Sequence, residues 1–338
     1  MGELLKQWEQ EQLNKPMWMS SEDIAPCKAS FLTDGIPDDN ITLLVGDGGV
    51  GKGFLSCHLA AAVTTGSKTV FDDEPVERDP GNVILLNAED SYSRQITHRL
   101  TNAGADHSRI ITFNELAPLP QIPEIVEAIA FYQPKLLIMD PLQSFVPDRA
   151  AMERRNVMRK IMEPLQKVAA QYKCAVLVVM HTNKRVGAYG RNRVADSADI
   201  WDIARSVFIM GDTYDGEYTK YISHEKSSYA MPIPTKLCRI DMKGLHKVGE
   251  TDKKDRDYIV ERDKHAGGRP PAKREEAEQI IIDALDKAGG AMMVRELETV
   301  AAQNDIRDKT FRNAKANLKK TGLLILDRKN GVYRLEDV

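Results

Sequence analysis

The sequence predicts an α/β protein built on a mainly parallel sheet, followed by a small helical unit that ends in a hairpin. Three observations carry this. A glycine-rich turn, Gly46-Asp47-Gly48-Gly49-Val50-Gly51-Lys52, lies between a β-branched apolar run and an Ala- and Leu-rich stretch. Short apolar runs then alternate with amphipathic segments to about residue 245, which is the pattern of parallel strands joined by helical crossovers. Beyond residue 273 three amphipathic segments precede two short strands around Asn330-Gly331, a strong turn signal.

Each element follows from local chemistry. Ile41 to Val45 is β-branched and apolar, hence a buried strand, and Lys52 to Thr65 is a helix stopped by Gly66. The glycines between them let the backbone curl so that successive N–H groups face one cavity at a helix N-terminus, an arrangement suited to phosphate. Gly46, Asp47, Gly48, Gly49, Val50, Gly51, Lys52 and Gly53 are therefore candidate nucleotide-binding residues, with Lys52 reaching the outer phosphates. Gly53 stands where this pattern usually carries Ser or Thr, so no hydroxyl is available there for Mg²⁺. Further strands are expected over Val83 to Leu86, Ile110 to Phe113, Lys135 to Met139, Ala175 to Met180, Ser206 to Met210 and Tyr218 to Ser223, with a helix over Met152 to Tyr172. The close spacing of the last strands predicts an antiparallel end to the sheet.

Three strand ends carry chemistry. KLLIMD ends in Asp140, the acid expected to serve the metal opposite a phosphate loop. NVILLNAED ends in Glu89 and Asp90. If that strand neighbours the Ile41 strand, Glu89 polarises the attacking water and Asp90 caps the next helix. AVLVVMHTN ends in polar residues, of which His181, Thr182 or Asn183 can sense the γ-phosphate by hydrogen bonding. The basic loop after it offers Lys184, Arg185, Arg191 and Arg193, read equally as a solvated loop or as a contact for single-stranded nucleic acid. Arg205 and Lys226 on late strands are candidate cations for completing a neighbouring subunit's site.

The 338 residues carry a net charge of −3, so nucleic-acid contacts must come from local patches. Four scattered cysteines without a C-x-x-C pair argue against disulfides or zinc and fit a reducing cytoplasm. No apolar run is long enough to span a membrane, and none is expected to bind one. The expected organisation is a lead over 1–35, the α/β domain over 36–245, a charged linker over 246–273 containing Gly267-Gly268-Arg269-Pro270-Pro271, and a winged-helix unit over 274–338. In that last unit Phe311, Ala314 and Leu318 share the inward helix face. Lys309, Arg312, Lys315 and Lys319 supply a basic stripe, read as a solvated face, a protein-docking face or, as the clustering favours, a DNA-facing one.

Taken in order, GDGGVGKG, NAED, LLIMDPLQSF, VMHTN, DIARSV and HEKSSY resemble the motifs of RepA-type ATPases, the RecA-fold, ring-forming replicative helicases of plasmids, phages and mobile elements. The resemblance covers about residues 20 to 230. It implies a RecA-like P-loop NTPase domain that binds ATP and Mg²⁺ between the subunits of a hexamer. In such a ring single-stranded DNA runs through the channel, and the winged helix takes duplex. It further implies that Lys52 binds phosphate, Asp140 serves the metal, Glu89 is the catalytic carboxylate and His181 the sensor. Arg205 is then the finger supplied in trans, with Lys226 the second candidate. Two functions follow: a DNA helicase of a mobile element, or a slow-turnover loader or origin-binding regulator, which Gly53 favours.

Overall fold

A computed structural model of the chain describes residues 6, 10, 18–74, 76–146, 155–183, 188–194, 198–214, 219–265, 277, 278, 280–285, 288, 290–304, 306, 308–320, 324–327 and 331–335. The chain divides into two compact units, Met1–Arg262 and Asp263–Val338.

The first unit is α/β. It opens with a small hairpin of β1 (Phe31–Thr33) and β2 (Ile36–Pro37), and a nine-stranded sheet follows. That sheet contains β3 (Ile41–Gly46), β4 (Val83–Asn87), β5 (Ile110–Ile111), β6 (Leu136–Asp140), β7 (Ala175–His181), β8 (Ser206–Asp212), β9 (Lys220–Ser227), β10 (Thr235–Asp241) and β11 (Gly244–Thr251). Their order is β11-β10-β9-β8-β3-β7-β6-β4-β5. The strands from β8 to β5 pair in parallel, and β8 to β11 pair antiparallel. The central strands are Val-, Ile- and Leu-rich along their whole length because helices cover both faces. Two apolar cores result. One, under α3 (Ile122–Tyr132) and α4 (Arg155–Tyr172), gathers Ile84, Leu137, Met139, Leu165 and Val178. The other, around α1 (Lys52–Thr65), gathers Leu44, Leu55, Leu59, Leu85, Ile138 and Val179.

Two expected boundaries need correction. The lead over 1–35 overlaps the fold, since Leu32 is buried in the second core beside Ile36. The linker expected over 246–273 begins inside β11 and continues into helix α6 (Asp255–His265). Its charges misled the reading. Lys236 and Lys247 pair with Asp73, Lys253 pairs with Glu261, and Tyr258 and Ile259 are buried between such charges. The Gly-Arg-Pro-Pro stretch lies outside the described residues.

The second unit has helical backbone at residues 277, 278 and 280–285, then β12 (Ala291–Met293), α7 (Val294–Gln303), α8 (Asp308–Lys320), β13 (Leu324–Asp327) and β14 (Val332–Leu335). Its three strands run antiparallel in the order β12-β14-β13. Phe311, Ala314 and Leu318 are buried with Leu285, Leu297 and Tyr333, as the helical spacing predicts. The connection between β13 and β14 is longer than the two-residue turn expected. Asp327 pairs with Val332, residues 328–331 join them, and Gly331 takes φ 64°.

Helix α1 ends at Gly66, whose φ is 74° and whose added Cβ would lie 2.1 Å from the Arg78 carbonyl oxygen. Gly66→Ala is expected to cost more than ~1 kcal/mol, because both the left-handed backbone and the backbone contact oppose a methyl group. A shift of the denaturant midpoint to lower concentration checks this.

Candidate nucleotide site

The site is built where β3 hands over to α1. Gly49 and Gly51 take φ 77° and 109°, which turns the backbone into a cradle that ends at the helix N-terminus. Gly51 is also a close approach, since a Cβ there would lie 2.2 Å from Ile240 Cδ1. Lys52 is buried. Its ammonium donates to the carbonyls of Gly46 and Asp47, both at 2.9 Å, and lies 3.5 Å from His181 Nδ1. Burial holds the Lys52 ammonium below its usual pKa, while Asp140, Asp47 and Glu89 pull the other way. A cleft of about 250 Å³ opens there, lined among others by Gly53, Phe54, Glu89, Arg99, Asp140 and His181.

Strand order explains how distant segments meet. β4 does not neighbour β3, contrary to the arrangement considered from sequence, because β7 and β6 lie between them. Glu89 nevertheless lines the cleft. Asn87 pairs with Asp140 in register, and its side chain accepts from the N–H groups of Glu89 (3.1 Å) and Asp90 (2.8 Å), so the turn that carries both acids is clamped. Glu89 Oε1 lies 3.4 Å from His181 Nε2 at the end of β7. Lys52, His181 and Glu89 thus form a polar row across the top of the sheet.

Asp140 ends β6 at the floor of the cleft. Burial raises its pKa to about 6 against the pull of Lys52, and Glu89 and Asp90 push it further up. Among the described residues no group of three or more His, Cys, Asp and Glu side chains could hold a metal ion. Mg²⁺ commonly takes one or two carboxylates and completes its shell with water and substrate phosphate. Asp140 fits that role, directly or through water. Position 53 offers no ligand atom, and Ser56, one turn on, is buried elsewhere in the helix.

The basic loop departs most from expectation. Arg193 is buried and does not face solvent or nucleic acid. Its guanidinium pairs with Asp47 at 3.0 Å and with Asp255 of α6, and donates to the Tyr221 hydroxyl at 3.1 Å. Thr182 donates to the same Asp47. Burial alone would raise the Asp47 carboxyl, yet the Thr182 hydrogen bond and the Arg193 charge bring it below its usual value. Arg191 pairs with Asp202 at 2.7 Å on the surface. Lys184 and Arg185 lie outside the described residues.

Arg205 and Lys226 do not line the cleft. Register places Ser206 beside Thr42 and Val207 beside Lys226, at the opposite end of β3 from Gly46. With about 3.3 Å per residue, that is roughly 13 Å along the strand. Lys226 donates to the carbonyls of Trp201 (2.7 Å) and Asp202 (3.2 Å), and burial together with Arg205 and Arg191 lowers its pKa. In the second unit Arg312 and Lys319 are exposed, with the Lys319 ammonium over the Tyr333 ring (4.9 Å), and Lys315 is tucked between the Phe311 ring (4.1 Å), the same Tyr333 ring (5.4 Å) and Glu298 (3.9 Å). The side chain of Lys309 lies outside the described residues.

Sequence reasoning missed Asn87, Phe54 and Arg99. A signal for Asn87 existed, since Asn at a strand end before two acids is a turn clamp. None existed for Arg99, which reaches the cleft from α2 (Thr97–Asn102) after a π-helical turn at Tyr92–Ile96.

A family profile described as an AAA domain matches residues 12–187, slightly more than half the chain. The chain belongs to this family. The glycine-rich turn, β4, β6 and β7 with their acids and His181 all fall within the matched residues. The AAA-family chain is thus a P-loop ATPase domain with its nucleotide-binding elements inside the match. No curated protein matches it. Among the described residues no helix is long and apolar enough to cross a membrane.

Two outcomes follow from these charges. Arg193→Met is expected to destabilise the domain by roughly 3–5 kcal/mol, because the buried Asp255 carboxylate loses its counter-charge. Thermal unfolding in the absence of nucleic acid reads this. Asp140, whose folded pKa lies above its unfolded value, opposes folding once ionised, so its contribution is best below pH 4 and is lost as pH rises through 6. Asp140→Asn should therefore leave nucleotide-free stability unchanged at pH 4 and raise it by up to ~3 kcal/mol above pH 7. Parallel melts across that range test the sign.

Proposed function

We propose that this AAA-family ATPase couples ATP hydrolysis to work on DNA, as a RecA-like, ring-forming helicase of the RepA type in the replication of a mobile element. The observation that carries the reading is the convergence of Lys52, Glu89, Asp140 and His181 on one cleft behind the glycine-rich turn. The order of motifs from GDGGVGKG to HEKSSY supports the finer assignment.

In this reading the turn's N–H groups and Lys52 bind the polyphosphate, and Lys52 exchanges its hold on the Gly46 and Asp47 carbonyls for phosphate oxygens. Asp140 holds Mg²⁺, which neutralises charge on the outer phosphates when bound. Glu89 orients the attacking water and accepts its proton. His181, placed between Lys52 and Glu89, registers the loss of the terminal phosphate. Arg205 and Lys226, remote from their own cleft, serve the site of the next subunit in a hexamer. Single-stranded DNA lies against Arg191 and the Lys184–Arg185 segment in the channel. The second unit acts as a winged helix that takes duplex through α8, with Arg312 and Lys319 on phosphate and Lys309 and Lys315 beside them. The bound protein is cytoplasmic.

A second reading has its own observation. Gly53 provides no hydroxyl for the metal, which favours a slow nucleotide switch: a helicase loader or origin-binding regulator.

Mg²⁺-dependent ATP hydrolysis with and without single-stranded DNA separates the two. The helicase reading expects DNA-stimulated turnover that Lys52→Ala and Glu89→Gln abolish. Tight ATP binding with negligible turnover in both conditions replaces it with the switch. For duplex binding, Arg312→Ala with Lys319→Ala should lower the salt slope by up to roughly two charges. An unchanged slope removes α8 from the DNA surface.

A further inference from the structure

We infer that Arg99 is a cis-acting phosphate ligand of this nucleotide site, seated in the space that a side chain at position 53 would fill. The inference deepens the nucleotide-site reading above and rests on it. A Cβ built on Gly53 would lie 3.1 Å from Arg99 Nη1 and 3.9 Å from Asp140 Oδ2. The first distance is tighter than an ordinary contact, so a side chain at position 53 would press the guanidinium aside by a few tenths of an ångström. The next residue completes the seat: the Arg99 guanidinium lies over the Phe54 ring, 4.8 Å from its centroid. Asp90 fixes it from the other side, accepting from Nη1 at 2.6 Å, while Gln95 accepts from Nη2 at 3.4 Å. Gly53 leaves room, Phe54 offers a flat face, and Asp90 sets the angle.

Charge balance gives the arrangement a purpose. The cleft is lined by the carboxylates Glu89, Asp90 and Asp140, and its lysine and arginine charges are Lys52 and Arg99. A polyphosphate entering it adds more negative charge. A guanidinium has five N–H donors in a planar fork, and the bonds to Asp90 and Gln95 leave donors for phosphate oxygen. In place of a neutral hydroxyl that helps hold a metal, this chain presents a fixed cation. Arg99 is only half-buried and stands on the wall of the cleft, where it can make that contact directly. Part of the charge neutralisation then persists without Mg²⁺.

The test is titration of a fluorescent ATP analogue into the full-length protein, once with Mg²⁺ and once with EDTA. The set is wild type, Arg99→Gln, Arg99→Lys and Lys52→Ala. Arg99→Gln should weaken binding by about tenfold or more in both buffers, the size expected for a lost charge-assisted hydrogen bond. Arg99→Lys should recover part of the loss. A loss confined to the Mg²⁺ buffer, or none in either, overturns the inference. If Lys52→Ala still loses affinity in that case, the nucleotide site stands without Arg99. If Lys52→Ala also binds like wild type, the site reading itself falls. Should Arg99→Gln lower the nucleotide-free unfolding midpoint, Arg99→Lys carries the test, since it keeps the charge and loses the planar fork of donors. Weaker binding in EDTA is then expected, and unchanged affinity overturns the inference.

Discussion

A buried ammonium is the constraint on which the rest of the site depends. Lys52 is 6% exposed, and in the free protein its charge is held by two carbonyls of the turn that precedes it. A cation so far from water is tolerable only where its donors are used and opposite charge stands near. The turn supplies the first through glycines at positive φ. The sheet supplies the second by delivering Asp140 and Glu89 to the same end. Phosphate would replace the carbonyls as partner, so the cradle is organised around the charge of Lys52.

Hydrogen bonds and ion pairs likewise brace the turn of acids and the phosphate loop. One wall is the Asn87 clamp, which fixes the backbone of Glu89 and Asp90. Outside the cleft, the cluster of Asp47, Thr182, Arg193, Tyr221 and Asp255 has a buried guanidinium that ties the phosphate loop to β9 and to α6. Removing a guanidinium from water is costly, and two carboxylates with a hydroxyl offset that cost.

Much of the fold was legible because its strands are buried on both faces. The runs from Ile41, Val83, Leu136, Ala175 and Ser206 are mostly apolar, carry no charge before their last residue and end in Gly, Asn, Asp or His, so their type and approximate bounds were readable. β10 and β11 were missed because they lie towards the antiparallel end and carry charged residues at every second or third position. Arg193 was misread for a related reason. Local sequence shows only that a cation follows glycines, and its burial depends on Asp255, Tyr221 and Asp47, which are far away in sequence. Lys315 shows the same effect on a smaller scale. Its spacing puts it on a basic stripe, but the neighbouring Phe311 and Tyr333 rings draw its stem inward.

The sequence by itself determined the α/β class, the phosphate loop, and the acids and histidine placed at strand ends, because each of these is written in contiguous residues with a local physical cause. The tertiary structure alone decided which strand ends meet. It placed β7 and β6 between β3 and β4, brought Glu89 to His181 across that gap, and put Arg205 and Lys226 at the far end of their strands. It also decided what stands beside position 53. Glycine reads locally as a lost ligand, and only the docking of α2 shows that the Arg99 guanidinium lies 3.1 Å from where a Cβ there would be.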